Sequence, residues 1–235
     1  MKPPTDPCSR PAKRSPDIKP IATSLVHRIL PPEGRSSSHH PVLILLHGRG
    51  ADEEDLLGLA SSLDQRFFVV SAQAPYPFSA GGGYTWYDAG EIGAPEPTMF
   101  RNSYDRLVTF LRDVITGYPV DAGRVFLFGF SMGAVMSYTL GLTHPDLIRG
   151  VCANSGYLPE GTFLTYRWND LAGTDFFISH GIHDPIIPIE MAHRARALFR
   201  KSNAHVTYRE YPMAHQISEQ SLADVAAWTT EKLGH

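Results

Sequence analysis

The sequence predicts an α/β fold in which a central, mostly parallel sheet is covered by helices on both faces. Two observations carry that prediction, and length permits it. Short apolar runs of strand length recur at Val42–Leu46, Phe67–Ala72, Val125–Phe128, Ile148–Asn154 and from Phe176. Unbroken runs of this kind suit strands buried on both faces. Helical patterns lie between them, clearest over Met99–Ile115, where Leu107, Phe110, Leu111 and Val114 form one stripe. With 235 residues, the chain suits one large domain, expected over residues 21–235, that buries about 70% of its unfolded surface.

Bulk properties exclude several classes. A formal charge of −3 and a pI near 6.4 give no polyanion-binding signature, so nucleic acid is a poor partner. Cys8 and Cys152 are the only cysteines, which argues against a disulfide framework and suits the reducing cytoplasm. The longest apolar runs are strand-sized, so no membrane span is expected. The first twenty residues lack the apolar core of a signal peptide. They hold six prolines and five Lys/Arg, and are expected to form a disordered tail over residues 1–20.

Taken in order, Ile21–Leu30 alternates as an edge strand and stops at Pro31-Pro32. His39 and His40 are expected on a surface loop. After Val42–Leu46, His47-Gly48-Arg49-Gly50 turns sharply, and Asp52–Asp55 places acids at the start of a helix reaching about Leu63. Phe67–Ala72 is the next strand. The Gly/Pro-rich stretch Tyr76–Pro97 follows; loops beyond ~12–15 residues are usually functional or disordered. Its aromatics favour packing, so it is expected to wall the mouth of a site, with Trp86 and Tyr87 as substrate-contacting candidates. Stapling of the loop to the core is the alternative for both. Gly156–Asp175 is irregular and too short for a helical cap. Ile189–Asn203 is expected as a helix, Val206–Tyr211 as a strand and Ser218–Leu233 as the closing helix, with Ser218 a candidate N-cap.

The chemistry centres on Gly129-Phe130-Ser131-Met132-Gly133. This G-x-S-x-G pattern arises by chance in about one chain in twelve of this length, so its context decides. A buried strand precedes it and a helix follows, as a nucleophile elbow requires. A serine nucleophile needs an imidazole to take its proton and a carboxylate to orient that imidazole. Asp184 and His215 each lie in a loop beyond a strand's carboxyl end, where open α/β sheets build sites. The order Ser131, Asp184, His215 is that of an α/β-hydrolase. His180, His183, His193 and His205, and Asp170 and Asp175, fall in the wrong order or element. His47 is expected to be structural. Arg49, in the loop after the Val42–Leu46 strand, and Met132, after the nucleophile, are positioned to give backbone N–H groups to an oxyanion. No metal or cofactor is expected, because His180, His183 and Asp184 have no further cluster with ligand spacing.

With these residues in view, the chain resembles the phospholipase/carboxylesterase family, small serine esterases that include the acyl-protein thioesterases. The segments carrying the resemblance are LLHGRGADEEDLL at 45–57, GFSMGA at 129–134, HGIHDPIIP at 180–188 and YPMAHQIS at 211–218. The resemblance implies an α/β-hydrolase fold without a cap domain, Ser131 as nucleophile, Asp184 as acid, His215 as base, and Arg49 and Met132 as oxyanion donors. Familiar thioesterase members have Leu-Gly where this chain has Arg49-Gly50, which favours the carboxylesterase branch. The expected activity is hydrolysis of short- to medium-chain carboxylic esters. The expected partners are a small-molecule ester and, at most, a second copy of the chain in a homodimer.

Overall fold

The computed structural model describes residues 18–32 and 39–234; the tail expectation for residues 1–17 lies outside them. Among the described residues, seven strands make one sheet: β1 (His27–Leu30), β2 (His40–Leu46), β3 (Phe68–Ala72), β4 (Val120–Phe130), β5 (Gly150–Asn154), β6 (Asp175–Gly181) and β7 (His205–Tyr211). Their order is β1-β3-β2-β4-β5-β6-β7. Only the edge pair β1–β3 is antiparallel. Every residue of β2, β3, β5 and β6 is buried, which is why these strands are written as continuous apolar runs.

The pleat sorts each run between two cores. Val42, Ile44 and Leu46 of β2 face one, while Leu43 and Leu45 face the other. Helices α1 (Pro97–Gly117), α2 (Met132–Thr143) and α3 (Ile189–Phe199) contribute to the first. A 3₁₀ helix (Asp55–Ser62) and α4 (Glu219–Leu233) close the second through Leu56, Ala60, Val225 and Trp228. In α2, eleven of the twelve residues are buried, so it shows no amphipathic stripe. Glu96 caps α1 by accepting from the Thr98 and Met99 N–H groups, and Ser218 caps α4 in a capping box with Ser221.

Several sequence expectations are corrected. β1 begins at His27 rather than Ile21. The segment after the His47 turn is a 3₁₀ helix; Gly58 at its middle disfavours a longer α-helix. His40 is not a surface loop residue: it is the buried first residue of β2, and its N–H donates to the Pro119 carbonyl (3.0 Å). α3 ends at Phe199 rather than Asn203. The Tyr76–Pro97 stretch contains two short antiparallel pairs, Tyr76–Pro77 with Tyr84–Thr85 and Ala89–Glu91 with Ala94–Pro95. Residues 155–174 carry neither helix nor strand, so no helical cap is inserted there. Among the described residues, no helix is long and apolar enough to cross a membrane.

Candidate active site

The carboxyl ends of five parallel strands deliver the site. β2 ends at Leu46 beside Gly129 of β4, and Phe130 at the end of β4 sits beside Asn154 of β5. β6 and β7 end together at Gly181 and Tyr211. The loop from β6 reaches Asp184 and the loop from β7 reaches His215. These two loops are tied by the Ile182 N–H to the Tyr211 carbonyl (2.9 Å) and the His183 N–H to the Met213 carbonyl (3.1 Å).

Ser131 lies between β4 and α2 with φ 54° and ψ −117°. Such a conformation is rare for a residue with a Cβ and carries strain. The turn survives because its flanks are glycine: a Cβ on Gly133 would fall 1.9 Å from the Leu46 carbonyl oxygen, and one on Gly129 2.3 Å from that of Gly133. The Ser131 N–H donates to the Asn154 carbonyl (2.9 Å), and its own carbonyl accepts from Ala134 and Val135. This pins the turn at both ends.

From Ser131 a hydrogen-bonded chain runs inward. Ser131 Oγ lies 2.9 Å from His215 Nε2, and His215 Nδ1 lies 2.7 Å from Asp184 Oδ2. The Asp184 carboxylate is fully buried; its Oδ1 accepts the N–H groups of Ile186 (2.8 Å) and Ile187 (2.9 Å). Those bonds leave it one orientation, with Oδ2 toward His215. Phe130 packs against the imidazole at 5.0 Å between ring centres. Ser155, a second residue with positive φ (51°), braces the histidine loop at 3.5 Å from its Oγ to the Gln216 carbonyl.

The other histidines serve elsewhere. His180 is buried, and burial lowers its pKa. As a neutral ring it donates from Nε2 to the Ile187 carbonyl (2.8 Å), with Asp184 Oδ2 at 3.4 Å. His47 is likewise buried, with its pKa lowered by burial. Its Nε2 accepts the Ala74 N–H (3.0 Å), so Nδ1 carries the proton toward the Gly48 carbonyl (2.6 Å). It therefore shapes the Gly48–Arg49 loop. His193 pairs with Glu210 on the surface and His205 lies 3.7 Å from Asp175. No group of three or more metal-ligating side chains occurs among the described residues.

A cavity of about 450 Å³ opens over Ser131. Arg49 and Met132 both line it, as do Phe130, Tyr157, His215, residues 89–92, Ile186 and Ile187. Met132 opens α2, where first-turn N–H groups lack helical partners and the dipole is positive. Trp86 and Tyr87 do not line it. Both are fully buried: the Trp86 indole N–H donates to the His47 carbonyl (2.9 Å) and the Tyr87 hydroxyl meets that of Tyr157 (3.0 Å). They support the wall from behind. The sequence reading missed Ile186 and Ile187, although apolar residues between Pro185 and Pro188 directly after the expected acid were a signal.

The family model described as Phospholipase/Carboxylesterase matches residues 32–232. The chain belongs to this family. Among curated members of the phospholipase/carboxylesterase family and related proteins, acyl-protein thioesterase 1 of Debaryomyces hansenii is 31% identical over 158 residues, covering 63% of this chain and 68% of the relative. Acyl-protein thioesterase 1 of Candida albicans is 27% identical over 209 residues, covering 80% and 90%. In structure, the carboxylesterase of Bacillus cereus superposes with a TM-score of 0.78 at 24% identity, over 88% of this chain and 94% of that one. That of Mesorhizobium loti gives 0.76 at 23%, over 92% and 97%. These neighbours share the α/β-hydrolase fold. As a member of the phospholipase/carboxylesterase family, the chain is an ester-hydrolysing enzyme.

Proposed function

We propose that this enzyme is a serine carboxylesterase that hydrolyses short- to medium-chain carboxylic esters, and thioesters of similar size, through an acyl-enzyme on Ser131. The observation that carries the reading is the unbroken hydrogen-bond chain from Ser131 Oγ through His215 to Asp184. His215 Nε2 takes the hydroxyl proton as Oγ attacks the ester carbonyl. Asp184, held by two backbone N–H groups, fixes the Nδ1–H tautomer and stabilises the imidazolium that forms. The backbone N–H groups of Arg49 and Met132 receive the developing oxyanion, where preorganised donors contribute most to the rate. The imidazolium returns its proton to the leaving alkoxide or thiolate. Water then repeats the sequence on the acyl-enzyme and frees the acid.

Labelling with a fluorophosphonate tests the nucleophile. Wild-type protein should gain one adduct, mapped to the peptide containing Ser131, and Ser131→Ala should gain none. A wild-type enzyme left unlabelled, with no turnover of any ester, would instead fit a silent hydrolase fold that only binds small molecules. Relatives named acyl-protein thioesterase make a thioester the natural second substrate, and a matched series of oxygen and thiol esters measures the preference.

A further inference from the structure

Arg49 is exposed, yet it forms part of the wall of the cavity over Ser131. Its guanidinium carbon lies 5.7 Å from the centre of the Phe78 ring. Burial raises the pKa of the Tyr87 and Tyr157 phenols, and the Arg49 charge opposes that rise in part. Tyr157 and Arg49 line the same cavity. No carboxylate among the described residues pairs with it within 4.0 Å. Among the described residues Glu91 is the only acid lining the cavity, and it forms no ion pair with Arg49.

An arginine without a carboxylate partner in the wall of the cavity over Ser131, a wall otherwise made mainly of apolar side chains, is suited to a negative group on the substrate. The planar fork matches a carboxylate in bidentate geometry, and such charge-assisted bonds are about twice as strong as neutral ones. Because the main chain of the same residue borders the reacting carbonyl in the proposed mechanism, a group held by the side chain would lie only a few bonds from the ester. We propose that Arg49 is a specificity residue and that the preferred substrates are esters carrying a carboxylate near the scissile bond. This rests on the esterase reading above and narrows its substrate class.

The test compares matched pairs: monoethyl succinate against ethyl butyrate, and 4-acetoxybenzoate against phenyl acetate. The readout is the ratio of kcat/KM for the anionic member to that for the neutral one. The ratio cancels any general loss of activity or of folded protein in a variant. Arg49→Leu should lower the ratio by about tenfold or more in at least one pair, the range a hydrogen bond to a charged group supplies. Arg49→Lys should keep a substantial part of the preference, and Glu91→Gln should raise it. Added salt should erode the wild-type preference at this open site. A ratio in Arg49→Leu within about twofold of wild type in both pairs would overturn the inference, as would a Lys variant that falls as far as Leu. Steady hydrolysis of the neutral esters alongside such a result would leave the esterase reading intact. Failure of the wild type on all four esters would overturn both.

Discussion

Ser131 occupies a backbone conformation, φ 54° and ψ −117°, of a kind that costs about 1–3 kcal/mol for a non-glycine residue. The surrounding contacts over-determine it: strand, helix and two glycine flanks leave the serine no other position. In return, Oγ stands clear of the sheet within 2.9 Å of His215 Nε2. In the proposed mechanism the three polar residues act as one unit, so Ser131→Ala and His215→Ala should each lower kcat by about a thousandfold or more, and the double variant should lose little beyond either alone. His183, exposed and contributing only its backbone N–H to the histidine loop, should tolerate alanine with a small change in kcat. Retention of more than about a tenth of kcat in His215→Ala would contradict the assignment of the base. An imidazolium cannot accept the serine proton, so kcat/KM should fall on the acid side with the slope of a single proton. A flat profile down to about pH 5 would count against a histidine base.

At the scale of elements, the parts written in the sequence are those fixed by local chemistry. Strands buried on both faces must be apolar throughout, so β2, β3, β5 and β6 were legible within a residue or two. The Ser131 turn was legible because no side chain can replace Gly129 or Gly133 there. Trp86 and Tyr87 were not. An aromatic in a long loop can line a mouth or staple the loop down, and the choice rests on distant partners: His47, Ser103 and Phe100 for this pair, with Tyr157. His40 was misjudged for a similar reason, since burial at a strand's first residue depends on the neighbouring chain. The stapling role makes a definite prediction. Trp86→Ala should destabilise the fold by about 3–5 kcal/mol, a fall in Tm of roughly 6–20 °C for a domain of this size. Preference among acyl chain lengths should stay as in wild type, and a change in that preference at unchanged Tm would return Trp86 to the cavity wall. The chain just after the 3₁₀ helix is tied to α4 through Asp64. Asp64 bonds Arg66 and accepts from Thr230, while Arg66 reaches the Gly234 carbonyl. The guanidinium of Arg66 holds the Asp64 carboxyl down to about 2 from an ordinary 3.8. A depressed carboxyl stabilises the fold above its unfolded value and ceases to do so as pH falls through its folded one. Denaturant midpoints should therefore drop more steeply between about pH 4 and 2 in wild type than in Asp64→Asn. Parallel curves for the two proteins would remove this tie from the acid response.

The whole molecule is a sheet whose functional loops leave the same edge. Ser131, Asp184, His215 and the expected oxyanion donors come from four of them, and no cap is inserted, because residues 155–174 carry neither helix nor strand. The cavity of about 450 Å³ is near the lower end of the size usual for small-molecule sites. The apolar part of its outer rim is only partly buried: Ile92 is 48% and Ile186 57% exposed. Methylenes beyond that rim would lie in water, and each forfeits about 0.8 kcal/mol of transfer energy. The architecture therefore predicts how rate depends on acyl length and on the physical state of the substrate. Values of kcat/KM measured for a series of esters from acetate to palmitate should peak at short to medium chains and then level or fall. Because the cavity over Ser131 opens without a cap to displace, rates should rise smoothly through the concentration at which the longer esters aggregate. Ile186→Ala should lower kcat/KM for the medium-chain esters more than for acetate, since the acetyl group ends before it reaches the rim. A sharp gain in rate at the aggregation threshold, or efficiency that climbs steadily to palmitate, would mean that a moving segment or a longer groove serves this enzyme, and the open-site reading would fail.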